Sequence, residues 1–128
     1  MGRPIELVMA RQWSALLTTP TLLFDDCGAL VYFNQAAALV VGRSFSESGS
    51  MAPEEWHAAF RVEGADGKVV GWEDSPLARA LASEHATQHT LSLRGMDGQR
   101  RVVTLTSFPI RGLSQGQAGV LVLLETAG

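Results

Sequence analysis

Phe24-Asp25-Asp26-Cys27-Gly28-Ala29-Leu30-Val31-Tyr32-Phe33-Asn34-Gln35-Ala36-Ala37 is the stretch that decides the fold. Leu22 and Phe24 share one face of a strand over residues 21–25. Ala29, Val31 and Phe33 share a face of a second strand over 29–33. Gly28 supplies the positive φ that a tight hairpin turn needs. Asn34 suits the N-cap of a helix over 35–41, and Gly42 suits its C-terminal stop. A helix N-terminus therefore abuts the end of a hairpin.

Upstream, Ile5, Met9, Trp13, Leu16 and Leu17 recur at helical spacing and predict an amphipathic helix over 4–18. Thr18-Thr19-Pro20 stops it, because the residue before proline is pushed out of the helical region. Downstream, 43–52 is rich in Ser and Gly and reads as a loop. Pro53-Glu54-Glu55-Trp56 opens a short helix to about Phe60, with its acids at the positive dipole end. Residues 61–74 carry the turn Asp66-Gly67 and no strong period. A third short helix is expected over 76–83, with Leu77, Ala80 and Leu81 on one side.

The final third alternates. His89, Leu91 and Leu93 share a face of a strand over 86–94, and Gly95-Met96-Asp97-Gly98 turns into a strand over 99–108. Val103 and Leu105 face one way there, Val102, Thr104 and Thr106 the other, and Pro109 is expected to end it. Val120-Leu121-Val122-Leu123-Leu124 is apolar on both faces, as a central covered strand is. The order predicts an α+β fold: a five-stranded antiparallel sheet, short helices on one face, and an N-terminal amphipathic helix able to cover part of the other.

Composition bounds the function. A chain of 128 residues with 46% hydrophobic content forms one domain with a real core. A net charge of −3 and 10 scattered Lys and Arg give no footprint for nucleic acid. The single Cys excludes an internal disulfide and a thiolate metal cluster, and fits a reducing cytoplasm. No apolar run reaches the ~18 residues of a membrane span, and Arg3, Glu6 and Arg11 argue against a signal peptide.

Motifs of catalysis are missing as well. There is no Gly-Xaa-Ser-Xaa-Gly elbow around Ser75, no phosphate loop, and no parallel βα repeat to make Asp25-Asp26 a phosphoacceptor. No enzyme activity is expected.

The chain resembles a PAS domain over about residues 20–125. Four pieces carry the resemblance: Leu23-Phe24-Asp25, Gly28, Val31-Tyr32-Phe33-Asn34, Ala36-Ala37 and Gly42; Pro76-Leu77-Ala78-Arg79-Ala80-Leu81; Asp97-Gly98 with the strand ending in Pro109-Ile110; and Gly119-Val120-Leu121-Val122. The family's Asp-Xaa-Thr exit signal is absent, with Glu125-Thr126 near its place.

The resemblance implies a sensory or interaction module of a bacterial signalling protein, of histidine kinase, cyclase or transcription-regulator type. It implies a pocket between sheet and helices, frequent homodimerisation, and an output domain outside this chain. The expected organisation is an N-terminal helix over 1–19 as dimer contact and a sensor domain over 20–126. Candidate pocket residues are Leu22, Phe24, Val31, Phe33, Trp56, His57, Leu77, Leu81, His89 and Leu91.

No cofactor or metal is the expectation. Haem, through His57 or His89, and flavin, stacked on Trp56 or Trp72, are the alternatives, beside a ligand-free interaction domain. Cys27 lies in a turn and lacks the Asn-Cys-Arg-Phe-Leu-Gln context of flavin-adduct light sensors. If Met9, Trp13 and Leu16 do not pack on their own sheet, a second copy is expected to cover them.

Overall fold

Thr21–Asp25 (β1) folds back antiparallel on Leu30–Phe33 (β2) around Gly28, whose φ is 86°. A computed structural model describes residues 5–59, 61–63, 68, 70, 79, 82, 85–112 and 117–126. Its other elements, in chain order, are α1 (Ile5–Ser14), α2 (Gln35–Val41), α3 (Phe45–Ser48), α4 (Pro53–Ala59), β3 (Arg61–Glu63), β4 (Thr87–Arg94), β5 (Arg100–Arg111) and β6 (Gln117–Thr126). The described strands form one antiparallel sheet in the order β2-β1-β6-β5-β4-β3. The five expected strands are present, and the three-residue β3 joins as a sixth. The expected helix over 76–83 lies outside the described residues.

The β1–β2 ladder is not regular. Leu22 pairs with Phe33 and Leu23 with Tyr32, but Phe24 pairs with Leu30, which leaves Val31 as an extra residue on β2. The bulge corrects the expected Ala29-Val31-Phe33 face. Leu30 and Phe33 lie with Phe24, whereas Val31 turns to the opposite side with Leu23. The β2 edge also bonds to a loop, since Leu30 and Met51 exchange both backbone hydrogen bonds.

The expected loop over 43–52 holds the one-turn α3. Ser44 accepts a hydrogen bond from the Glu47 N–H, and its hydroxyl donates to the Glu47 carboxylate at 2.9 Å. Strand β5 continues through Pro109, where an end was expected. Its partner β4 stops at the Thr87–Ser107 pair, and among the described residues no strand pairs with that side of β5 beyond it, where a proline is tolerated.

Helix α1 crosses the Leu23 face of the sheet. Leu7, Ala10 and Ser14 form the inward stripe, with Leu7 packed against Leu23, Val31 and Ala118. Met9, Trp13 and Leu16 point outward, 61%, 56% and 83% exposed. Small residues let the helix approach closely. A Cβ added at Gly119 would stand 3.0 Å from the Leu7 Cδ2 atom and collide with the Phe24 carbonyl oxygen. The helix stops at Ser14, earlier than the expected Thr18, and two i→i+3 bonds, from the Leu16 and Leu17 N–H groups, follow it.

Candidate functional site

The Phe24 side of the sheet is the interior that the short helices roof. Leu22, Phe24, Leu30 and Phe33 from the hairpin meet Ala37, Val40 and Val41 of α2, Trp56 of α4, and Leu91, Leu93, Val103, Val120, Val122 and Leu124 of the later strands. Burying such side chains contributes about 1.5–3 kcal/mol each. Of the expected pocket residues, Leu22, Phe24, Phe33, Trp56 and Leu91 come together here. Val31 does not: the bulge sends it to the α1 side. His89 is half-buried on β4 opposite Leu105, and His57 is half-buried beside Trp56, their rings 5.6 Å apart. Leu77, Leu81 and Trp72 lie outside the described residues.

Trp56 is a fixed wall of this interior. Its ring meets Phe24 edge-on at 5.3 Å, and its indole N–H donates to the Gly28 carbonyl at 2.8 Å. That bond ties α4 to the β1–β2 turn and satisfies the polar handle a buried indole carries.

Asn34 is the most connected side chain at the site, and it is 1% exposed. Its Oδ1 accepts from the Ala37 N–H at 2.9 Å, which caps α2, and from the Thr21 N–H at 3.0 Å, which fixes the start of β1. Its Nδ2 donates to the carbonyls of Thr19 at 2.8 Å and Ser14 at 3.1 Å, with Leu17 at 3.4 Å. One carboxamide thus joins the roof helix, the sheet and the end of α1.

The far end of α2 is held as firmly. The Arg101 guanidinium donates to the Val40 carbonyl at 3.0 Å, and the Met96 N–H donates to the Val41 carbonyl at 2.6 Å. Gly42, at φ 87°, ends the helix against Asp97, where a Cβ would come 2.5 Å from the Asp97 nitrogen. Arg101 also pairs with Asp97 at 3.0 Å, and that hydrogen-bonded guanidinium holds the Asp97 carboxyl below its usual pKa. Helix α2 therefore runs as a strut from the α1 end to the β4–β5 turn.

The β1–β2 turn collects Asp25, Asp26 and Cys27, whose ligand atoms lie within 4.8 Å of one another at the surface. Asp25 Oδ1 accepts from the Cys27 and Ala29 N–H groups at 2.9 and 3.0 Å, so it shapes the turn. The Asp26 charge, and then that of Asp25, push the exposed Cys27 thiol above its ordinary pKa, which disfavours the reactive thiolate.

Sequence reasoning passed over Arg11, Tyr32 and Phe45, which gather outside the interior where α1 passes β2 and α3. No local motif marks them, because they come together from α1, β2 and α3.

No protein-family model matches the sequence, and no curated protein matches it. Solved structures do. The PAS domain of nitrogen regulation protein NR(II) from Vibrio parahaemolyticus superposes with a TM-score of 0.62 at 20% identity, over 93% of this chain and 98% of that one. The Rhodobacter sphaeroides LOV protein matches with a TM-score of 0.70 at 14% identity, over 97% of this chain and 68% of its own. The light-state dimer of the fungal blue-light photoreceptor Vivid matches with a TM-score of 0.61 at 17% identity, over 84% and 77%. The chain has the PAS fold. Among the described residues, no helix is long and apolar enough to cross a membrane.

Proposed function

We propose that this chain is a signal-sensing and dimerisation module. A small ligand or partner changes the packing of the Phe24 interior, and the change passes to α1 and to an output domain outside the chain. The observation that carries the reading is the Asn34 carboxamide, which links the capped end of α2 to the Ser14 carbonyl at the end of α1 and to the Thr19 carbonyl beyond it. A ligand that favours one position of α2 over another shifts the population of α1 positions by its differential affinity. A tenfold bias needs about 1.4 kcal/mol, the scale of one buried hydrogen bond. The kinship in fold with sensor and photoreceptor domains supports a place in signal transduction, of two-component or transcription-regulator type, with residues 1–19 as the dimer contact and 20–126 as the sensor.

The outward stripe of Met9, Trp13 and Leu16 supports a homodimer through α1, because large apolar side chains at this exposure are normally covered. A cytoplasmic setting suits the exposed Cys27 thiol.

The described residues do not suit a flavin adduct or a stacked cofactor. Cys27 is in the outer turn, and Trp56 is committed to Phe24 and Gly28. A haem or flavin retained on purification would announce itself by visible absorption. Sedimentation of the whole chain tests the dimer. Trp13→Glu with Met9→Glu should give a monomer with unchanged circular dichroism. A double variant that stays dimeric refutes α1 as the contact. Native mass spectrometry of the same samples tests for a retained small molecule.

A further inference from the structure

We propose that the chain carries a second ligand site, on the outer side of Phe33 and Asn34 from the Phe24 interior: a cleft on Arg11 that binds a small organic monocarboxylate. The cleft, of about 660 Å³, opens where α1 passes over β2, α2 and α3. The Arg11 guanidinium carbon lies 4.9 Å from the centre of the Tyr32 ring and 5.4 Å from that of Phe45. Those rings meet edge-on at 5.2 Å, and Phe45 meets the buried Phe33 edge-on at 5.3 Å. The Arg11 charge therefore sits over a wall of rings that is itself anchored in the core.

A cation–π contact holds the guanidinium charge over the rings without using its N–H donors on an acceptor oxygen. Among the described residues, no hydrogen bond or ion pair ends on the Arg11 guanidinium, the Tyr32 hydroxyl or the Gln35 carboxamide, and all three residues line the cleft. A guanidinium with its donors unused matches a carboxylate with two parallel hydrogen bonds. The two ring contacts restrict the side chain before binding, so less of its entropy is lost.

The rest of the lining selects among anions. Phe45, Ala38 and Gly49 offer an apolar wall, which suits the hydrocarbon body of an organic acid better than a bare inorganic anion. The Glu47 carboxylate, bonded to Ser44 at the rim, disfavours a multiply charged ligand. A bound acid would bridge α1 to α2 and α3. It would hold the N-terminal helix in place, whatever occupies the interior.

Benzoate titrated into the isotope-labelled full chain, followed by amide chemical shifts, tests the site, with uncharged benzamide as control. Saturable shifts at Tyr32, Gln35 and Phe45 are expected with benzoate. They should weaken by roughly tenfold or more in Arg11→Met, which keeps the stem, and in Arg11→Lys, which keeps the charge but loses the fork. Arg11 is exposed, and the spectra of the variants report directly that the fold is kept. Benzamide binding as tightly as benzoate, equal binding by Arg11→Met, or no saturable shift in the natural chain each overturns the proposal.

Discussion

Asn34→Asp separates two roles that Asn34→Ala would merge. Aspartate caps a helix as well as asparagine does, so if Asn34 only capped α2 the change would be neutral. The geometry says otherwise. Nδ2 donates to the Thr19 and Ser14 carbonyls, and an aspartate would turn a buried negative oxygen toward those oxygens instead.

The alanine variant sets the scale. Losing the cap costs about 1 kcal/mol, and leaving the buried Thr21 N–H without Oδ1 costs about 1–3 kcal/mol more. The sum is about 3 kcal/mol, a large part of the 5–15 kcal/mol typical of a domain. Asn34→Asp should cost at least as much at neutral pH.

It should also recover in acid. The buried carboxylate, facing carbonyls, has a folded pKa above its unfolded value near 3.9. The folded state then holds its proton more tightly, so stability rises as pH falls through the folded pKa, and the penalty is complete above it. Urea unfolding at neutral pH and at about pH 5 measures both effects for the natural chain, Asn34→Ala and Asn34→Asp. Asn34→Asp unfolding with the natural midpoint at neutral pH would refute the reasoning.

Two further changes probe the packing and the turn. Gly119→Ala forces a Cβ into the Phe24 carbonyl and against Leu7, so β1 and α1 must both shift. A loss of about 2 kcal/mol is expected, seen as a fall of roughly 8 °C in the thermal midpoint. A midpoint within error of the natural chain counts against the close approach of α1 to β6. In the turn, Asp26→Asn removes the largest cause of the raised Cys27 pKa, so alkylation by iodoacetamide at neutral pH should quicken, and an unchanged or slower rate contradicts that assignment.

Much of the fold was legible because its signals are local. Thr21–Asp25 and Gln35–Val41 match the bounds read from the sequence, since a strand alternation, an Asn cap and a glycine at φ 87° each act within a few residues. Which face of α1 packs on the sheet is left open by the sequence. Two stripes share its helical period, and only the sheet beneath decides between them. The smaller one is buried because Gly119, more than a hundred residues away, leaves room for Leu7. Val31 was misplaced for a similar reason, as a bulge depends on the partner strand and inverts every face after it. Helix α3 did have a local signal, the Ser44-Phe45-Ser46-Glu47 capping box, which the polar composition of 43–52 obscured. The Arg11 cleft has no contiguous motif at all: it assembles from α1, β2 and α3.

The short rim at β2 limits how copies of this chain can meet. The strand offers only four residues of border, and the Leu30 backbone is already engaged by Met51. An incoming strand finds few unspoken-for amides there on which to extend the ladder. Association at that end must rely on side chains of a helix or a face, which mutation can tune without inviting runaway fibre growth.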